Sequence, residues 1–280
     1  MQGTAIITDS NAFLWTGLPV FTIPHRIRLL GQEMEDTELT ADAMFDRLVR
    51  SGRCTSATMP EVVPPKPDAV RATLEVAARE SQSIVAIHSS CMVSPIHQAV
   101  ANASRDLAGV SVRVIDSRSV SLGLGFLVET AAAAAAAGSG MNRITREVTG
   151  TAPRLFASFF AESLHYLERS TGLTASLSRL GSLLGIKPLL TMEEGRLVPI
   201  EKVCSREQLT DTLCAHVLEY TQIEKIGVMH HAYADVVTRL RERLPQENPG
   251  LSVVDLPYPP GLAAQLGPNV VGVLVVEGCL

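Results

Sequence analysis

Residues 83–100, SIVAIHSSCMVSPIHQAV, contain the order of elements that decides the fold. The apolar run 83–87 predicts a buried strand, and the stretch from Pro95 onward predicts a helix with proline well placed in its first turn. Between them lies a polar loop. A strand, a polar loop and a helix N-terminus together make an anion site, because free N–H groups and the helix dipole favour negative charge. Serines at such positions also serve simply to cap the helix and turn the chain, so this stretch alone leaves both interpretations open.

The rest of the first half repeats this pattern. Strands are predicted at TAIITDS (4–10), at FTIPHRIRLLGQEMED (21–36), which ends in a turn, and at VSVRVIDS (110–117). Helices are predicted at TADAMFDRLVRSG (40–52), at PKPDAVRATLEVAARES (65–81) and at the alanine-rich stretch before Gly138. Alternating strands and helices over residues 1–150 predict a mostly parallel sheet with helices on both faces.

The pattern changes after residue 150. Residues 154–170 predict a strand followed by a helix, and Glu194-Gly195 joins two apolar runs in the manner of a hairpin turn. Further helices are predicted at 206–222 and 232–245, with strands at 225–231, 251–258 and 269–278. We therefore predict an α/β domain over residues 1–150, and over residues 151–280 an α+β domain with a mixed or antiparallel sheet.

Composition narrows the function classes. The chain has 280 residues, is 46% hydrophobic but only 4% aromatic, and carries a formal net charge of −5. A basic footprint and stacking aromatics are both missing, so nucleic acid is not an expected partner. No apolar run reaches membrane-spanning length, and the first residues do not resemble a secretory signal, so stable membrane insertion is not expected. Five scattered cysteines without a C-x-x-C pair predict a reducing, cytoplasmic setting and neither a disulfide framework nor a zinc site.

Small polar residues follow three predicted strands of the first half. They are Thr8-Asp9-Ser10, Ser89-Ser90 and Asp116-Ser117, and a further polar loop, CTSATMPE (54–61), is expected between two helices. Ligands of open α/β sheets bind at the carboxyl ends of strands, so these loops predict one crevice rich in neutral donors and suited to a carboxylate or phosphate. A catalytic serine also needs a base, and His88 is poorly placed because neighbouring strand residues face opposite ways. The same geometry argues against a metal site at the adjacent histidines 230 and 231.

In this order the segments resemble the DegV family of bacterial lipid-binding proteins. The similar stretches are ITDSNAFL (7–14), TSATMPE (55–61), HSSCMVSPIHQA (88–99), VIDSRSVSLGLGFLV (114–128), FASFFAESLHYLERS (156–170), LGSLLGIKPLLTMEEG (180–195) and LGPNVVGVLVV (266–276). They resemble, among others, the family's T-D-S-x-A-x-L, T-S-x-P-[ST]-P-E and S-S-x-L-S-G-T-Y motifs. The resemblance covers nearly the whole chain in the family's order.

The resemblance implies a two-domain fold that holds a long-chain fatty acid between the domains, with its tail in an apolar tunnel closed by residues 151–280. It implies no cofactor, no catalysis by the protein itself, and presentation of the carboxylate to a fatty-acid kinase in bacteria that have one. Thr55 and Ser90 are the implied head-group ligands, with Ser56 and Ser89 beside them. Asp116, Ser117 and Gly123 would shape the same end of the site, and Gln265 occupies the position of a late family histidine.

Three departures from the family pattern bear on the kinase role. The S-G-T-Y run is replaced by residues 93–97, and the G-G-R-I run aligns with residues 170–173, so its arginine is absent, although Arg169 lies nearby. Gln265 replaces the histidine. These losses make the predicted head-group site less cationic and open the possibility of a less acidic lipid.

Two alternatives to a lipid carrier remain open from the sequence. A serine-dependent hydrolase or transferase would use Ser89 or Ser90 as nucleophile and would need a base within hydrogen-bond reach and an oxyanion site. An interaction protein that has lost or changed its ligand would have a collapsed cavity between the domains.

Overall fold

The computed structural model of the protein describes residues 3–15, 17–52, 58–171 and 187–278. Its first half contains the strands β1 (Thr4–Asp9), β2 (Val20–Ile23), β3 (Arg26–Leu29), β4 (Gln32–Glu35), β5 (Glu61–Val63), β6 (Ser83–His88) and β7 (Ser111–Asp116). Its helices are α1 (Ala41–Ser51), α2 (Pro67–Glu80), α3 (Ile96–Ala103), α4 (Ser121–Ala136) and α5 (Met141–Thr151).

The central sheet of this half is parallel, with the strand order β2-β1-β6-β7, as the alternating pattern predicts. Because successive side chains of a strand face opposite sides, each face receives its own apolar cluster. Ile6 and Val85 pack under α4 and α5, whereas Ile7 and Ala86 pack under α2 and α3. The helices therefore cover both faces of the sheet.

The ends of α1 follow from its sequence. The side chain of Thr40 accepts a hydrogen bond from the backbone N–H of Ala43 at 3.2 Å, and Gly52 ends the helix in the left-handed conformation at φ 62°. These ends agree with the helix predicted over residues 40–52.

A three-stranded antiparallel sheet, in the order β4-β3-β5, corrects two predictions. Residues 21–36 form three short strands rather than one strand with a turn, and the polar loop after α1 leads into strand β5 rather than directly into a helix. These strands are three or four residues long, too short to show a periodic pattern, and β5 pairs with β3 across more than thirty residues.

The second half contains the strands β8 (Leu155–Ala161), β9 (Lys187–Glu193), β10 (Arg196–Val203), β11 (Ile223–His231), β12 (Val253–Asp255) and β13 (Val270–Glu277). Its helices are α6 (Leu164–Thr171), α7 (Arg206–Leu218), α8 (Ala234–Glu247) and α9 (Pro260–Leu266). The strands form one mixed sheet in the order β10-β9-β8-β13-β11-β12, antiparallel except for the pair β11–β12. The predicted hairpin turn at Glu194-Gly195 connects β9 to β10.

The two faces of this second sheet bury different surfaces. Phe160 and Val273 belong to the cluster beneath α7 and α8. Phe159 and Leu274, one position away on the same strands, face the first half and pack with Leu122 of α4. We call this second cluster the inner apolar layer; it joins the two halves of the chain. Within the ranges described above, no helix combines the length and the apolar character that crossing a bilayer requires.

Candidate functional site

The carboxyl ends of β1, β6 and β7 bring the predicted polar residues to one edge of the parallel sheet. Strand β1 pairs with β6, and His88 of β6 lies opposite Asp116 of β7. The loops that follow are joined by backbone hydrogen bonds, from Ser117 N–H to the His88 carbonyl at 3.0 Å and from Ser90 N–H to the Ser119 carbonyl at 3.0 Å. The polar residues predicted at the ends of β1, β6 and β7 therefore lie together at one edge of the sheet.

Asp9 fixes the loop between β6 and α3, residues 89–95, which we call the double-serine loop. Its fully buried carboxylate accepts hydrogen bonds from the N–H of Ser89 at 2.7 Å, from the Ser89 hydroxyl at 2.8 Å and from the N–H of Asn11 at 3.1 Å, and His88 Nδ1 lies 3.2 Å away. Burial raises the pKa of Asp9, but the charge of His25 and the hydrogen bonds from His88 and Ser89 outweigh it and lower the pKa to about 2. Asp9 is therefore ionised at neutral pH, and its carboxylate accepts the one hydrogen bond that the Ser89 hydroxyl can donate.

Ser90 connects the loop to the second half of the chain. Its hydroxyl, which is fully buried, donates to the carbonyl oxygen of Gly195 at 2.7 Å and accepts from the N–H of Met92 at 3.2 Å. Gly195 has φ 79°, and a Cβ at this position would lie 2.4 Å from the Ser90 oxygen. Only glycine combines this backbone conformation with such a close approach.

The remaining predicted residues of the first half shape the loop after β7. Asp116 accepts from the N–H groups of Cys91 at 3.2 Å and Arg118 at 2.9 Å. The Ser117 hydroxyl donates to the Ser119 carbonyl at 3.0 Å, and a Cβ on Gly123 would lie 2.1 Å from the Ser119 hydroxyl oxygen. All three therefore determine the backbone of the loop in this structure.

Gln265 and Arg169 connect the second half to polar loops of the first half. The Gln265 side chain donates to the Val93 carbonyl at 2.9 Å, so the residue at the histidine position contacts the double-serine loop directly. Arg169, near the end of α6, donates to the carbonyls of Pro60 and Ala264. Thr55 and Ser56 themselves lie outside the described residues. Pro60, however, belongs to the same loop, and its contact with Arg169 spans 109 residues, so no local sequence pattern reveals it.

A buried chain of hydrogen bonds next to Asp9 was not predicted. His25 Nε2 lies 2.8 Å from the Ser94 hydroxyl, and His25 Nδ1 lies 3.0 Å from the Ser10 hydroxyl, which donates to Asp36 at 2.6 Å. Because Ser10 donates its hydroxyl hydrogen to Asp36, it can only accept from His25, so Nδ1 of His25 carries a hydrogen and donates to Ser10. Ser94 and His25 lie 69 residues apart, so no local pattern could have revealed the pair.

The Ser94–His25 pair of this chain is buried. Ser94 is 4% exposed and His25 is 1% exposed. The hydroxyls of Ser89 and Ser90, either of which the alternative serine hydrolase or transferase would use as nucleophile, donate to Asp9 and to Gly195 rather than to an imidazole. Within the described ranges, no group of three His, Cys, Asp or Glu residues is arranged to hold a metal ion.

The inner apolar layer begins directly beside these loops. Val93 of the double-serine loop and Val120, just before α4, belong to it, together with side chains from β8, β9, β13, α6 and α9. Its described members outside the loops include Leu122, Phe126, Phe159, Leu164, Leu167, Leu190, Leu262, Leu266 and Leu274. A polar edge that holds buried hydroxyls thus adjoins an extended aliphatic interior.

Comparison with known proteins settles the family. The family model described as "Uncharacterised protein, DegV family" matches residues 3–278. The chain belongs to the DegV family. A DegV domain-containing protein of Streptomyces coelicolor is 29% identical over 281 residues, covering 97% of each chain.

Solved DegV structures share the fold. A DegV family protein from Thermus thermophilus, described as fatty acid binding, superposes with a TM-score of 0.85 at 23% identity over 99% of this chain and 100% of its own. The fatty acid kinase B3 protein of Streptococcus pneumoniae, loaded with linoleic acid, superposes with a TM-score of 0.83 at 16% identity over 99% and 100% of the two chains. The two-domain α/β architecture predicted from the sequence is confirmed.

Proposed function

We propose that the protein is a non-catalytic lipid-binding protein of the bacterial cytoplasm that holds a long-chain fatty acid between its two halves. In this proposal residues 1–150 supply the head-group loops and residues 151–280 close the tunnel around the tail. The observation that carries it is the position of Ser90: a fully buried hydroxyl where the two halves meet, in a loop that also contributes Val93 to the inner apolar layer. DegV neighbours with the same fold are described as fatty acid binding or hold a fatty acid.

The head group would be held by hydroxyl protons. Ser90 is the donor that can turn toward a carboxylate, because its proton rests on a neutral carbonyl oxygen. The Ser89 hydroxyl already donates to the anionic carboxylate of Asp9, a stronger acceptor than a carbonyl. Ser89 would therefore hold the conformation of the loop rather than bind the ligand. Thr55 and Ser56 complete the proposed donor set from the neighbouring loop. Asp116, Ser117, Gly123 and Gln265 would hold the backbone around it.

The tail would supply most of the affinity. Burying a CH₂ group contributes about 0.8 kcal/mol, so a long acyl chain among aliphatic side chains offsets the cost of removing a carboxylate from water. The inner apolar layer provides such side chains from both halves of the chain. A Cβ on Gly272 would lie 2.7 Å from Phe159, so glycine lets β13 approach this ring within the layer.

Presentation of the bound carboxylate to a fatty-acid kinase is a narrower proposal. It is supported by the likeness to the fatty acid kinase B3 protein. Met92 of the double-serine loop is 41% exposed, so a partner can reach the rim of the proposed site. Addition of a bacterial fatty-acid kinase and ATP to the loaded protein should then yield acyl phosphate. If no acyl phosphate forms, the proposal of a kinase partner is wrong.

Native mass spectrometry of the protein purified from a bacterial host tests the main proposal. The proposal predicts an added mass that extraction identifies as one fatty acid per chain. A ligand-free mass that persists after incubation with saturated and unsaturated long-chain fatty acids would contradict it and favour an interaction protein without a lipid ligand.

A further inference from the structure

Two loops of the first half reach the same pair of helices in the second half. Residues 58–60, which lead into β5, contact α6, because Arg169 donates to the carbonyl oxygen of Pro60. The double-serine loop contacts α9, because the side chain of Gln265 donates to the carbonyl oxygen of Val93 at 2.9 Å. Helices α6 and α9 therefore connect two loops that are distant in the sequence.

Arg169 joins these two helices to each other. Its Nη2 also donates to the carbonyl oxygen of Ala264 at 3.3 Å, in the last turn of α9. In a longer helix that carbonyl would accept from the N–H four residues later, but residue 268 is proline and has no N–H. Pro60 is buried, so its carbonyl also needs a donor. One nitrogen of Arg169 thus satisfies carbonyls from both halves of the chain.

Apolar packing joins the same segments. Met59 belongs to one buried cluster with Tyr166 of α6 and Ala263 of α9. Gly267, which follows α9, has φ 82°, and a Cβ there would lie 2.6 Å from the Tyr166 ring. The guanidinium carbon of Arg169 lies 6.0 Å from the centre of the same ring, within the range of a cation–π contact. The segment before β5, α6 and the end of α9 therefore pack as one unit.

The link to Ser90 runs through the double-serine loop. The N–H groups of Val93 and Ser94 both donate to the carbonyl oxygen of Ser90, each at 3.0 Å. The three residues thus form one hydrogen-bonded turn, and Gln265 holds the Val93 carbonyl of that turn. Since Gln265 follows Ala264 directly in α9, a shift of α9 at Ala264 moves the turn that carries Ser90.

A cation beside these loops can act in two ways. It can attract an anionic head group through space, or it can fix the segments that carry the hydrogen-bond donors. Both acceptors of Arg169 Nη2 are backbone carbonyls of different segments, so these bonds set the separation of the two segments. The geometry favours the second role, because the observed bonds constrain backbone atoms and form without a ligand.

We propose that Arg169 is a positioning residue of the head-group site. By bonding Pro60 and Ala264 together, it sets the position of α9 against the first half, and Gln265 transmits that position to the turn that carries Ser90. The Ser90 hydroxyl is thereby held where a carboxylate can meet it. The ligand in this inference rests on the proposed function, whereas the link from Arg169 to Ser90 concerns the ligand-free protein.

Hydrogen exchange of the ligand-free chain tests this link. Arg169→Met removes the N–H donors and keeps an unbranched apolar stem, and Arg105→Met, at an exposed position after α3, is the matched control. The proposal predicts roughly fivefold faster amide exchange at Val93 and Ser94 in Arg169→Met, with exchange in β13 unchanged. Parental exchange at Val93 and Ser94 would overturn the proposal. An equal acceleration in β13 would also overturn it, because Arg169 would then support the whole fold.

Equilibrium binding of palmitic acid and its methyl ester tests the effect on the head group. Arg169→Met and Arg169→Lys should each lose about fivefold of the parent's preference for the acid while binding the ester as before. The lysine side chain keeps the charge but is one bond shorter, so it cannot replace Nη2 between the two carbonyls. Arg105→Met should behave like the parent. Parental preference in Arg169→Lys would overturn the proposal in favour of attraction by charge alone.

A double variant tests whether Arg169 acts through Ser90. In the Ser90→Ala background, Arg169→Met should cause no further loss of acid preference, and a further loss of similar size would overturn the proposal. Ser104→Ala, just after α3, is the control for Ser90→Ala. If the parent binds neither the acid nor the ester, the proposed function fails, and the exchange in the double-serine loop still decides whether Arg169 positions it.

Discussion

The hydroxyl of Ser90 donates to the carbonyl oxygen of Gly195 at 2.7 Å, across 105 residues of sequence and between the two halves of the chain. A serine hydroxyl has one proton, so Ser90 cannot donate to Gly195 and to a ligand carboxylate at the same time. The proposed fatty-acid site and the β9–β10 hairpin thus compete for one hydrogen bond. Binding a head group through Ser90 must release the hairpin turn.

Hydrogen exchange at the hairpin tests this competition. Adding a saturating long-chain fatty acid should speed amide exchange at residues 194–196, because the bond that holds the turn is broken. Amides of β13, which borders the inner apolar layer, should exchange more slowly because binding stabilises the whole fold. Slower exchange at the turn on binding would show that Ser90 keeps its bond to Gly195 and that another group holds the carboxylate.

Gly195→Ala should destabilise the protein more than the matched substitution Gly31→Ala. Both glycines sit in hairpin turns with positive φ, 79° and 83°, but only at Gly195 would the added Cβ meet other atoms, with the Ser90 oxygen 2.4 Å away. We expect the difference in the free energy of unfolding to be about 1–3 kcal/mol, measured by urea denaturation. Equal losses of unfolding free energy in the two variants would mean that the β9–β10 turn does not pack against Ser90.

Asp9→Asn should reveal a pH-dependent contribution to stability. Because the pKa of Asp9 is about 2 in the folded protein, below the ordinary 3.8 of an aspartate side chain, its ionised form stabilises the fold above pH 4. That contribution should disappear as the pH falls from 4 to 2, where the carboxyl takes up a proton in the folded state. At pH 7 the substitution should cost roughly 2 kcal/mol.

The measurement for Asp9 is the difference in the free energy of unfolding between parent and variant as a function of pH. Using the difference removes the titration of the other carboxyls, which both proteins share. Asp106→Asn, at an exposed position, should give a difference near zero throughout. A difference for Asp9→Asn that stays constant from pH 6 to pH 2 would contradict the low pKa.

A fluorophosphonate probe should not label Ser94, although His25 lies within hydrogen-bond reach of it. Both residues are buried, and the Ser94 hydroxyl also accepts from the N–H of Ile96 at 3.3 Å, so the hydroxyl is held in the interior. Mass spectrometry of the intact protein should show no added mass after incubation with the probe. Labelling that is lost in Ser94→Ala would instead support a serine hydrolase.

The sequence was sufficient for the elements whose signals are local. Strand β6 and helix α3 follow from an apolar run and a well-placed proline, and α1 from Thr40 and Gly52. The turn between β9 and β10 follows from Glu194-Gly195. The sheet of β3, β4 and β5 could not be predicted, because each strand is too short for a periodic pattern and the pairing joins distant segments.

The site could be predicted only as a set of loops at one sheet edge. Parallel pairing places Asp9, Ser89 and Asp116 together, which residue patterns and strand order anticipate. The acceptor to which each hydroxyl donates depends on contacts across the fold, such as that of Ser90 with Gly195, and on the competition between acceptors. Sequence patterns contain neither, so the different roles of the two neighbouring serines emerge only from the structure.

Equilibrium binding of palmitic acid and its methyl ester to the parent protein and to Ser90→Ala tests the central claim most directly. A hydrogen bond to a charged acceptor contributes about 1.5–3 kcal/mol, so the parent should bind the acid at least tenfold more tightly than the ester. Ser90→Ala should lose most of that preference while binding the ester almost as before, and Ser104→Ala should behave like the parent. Equal preference for the acid in the parent and in Ser90→Ala would contradict the claim that Ser90 holds the carboxylate.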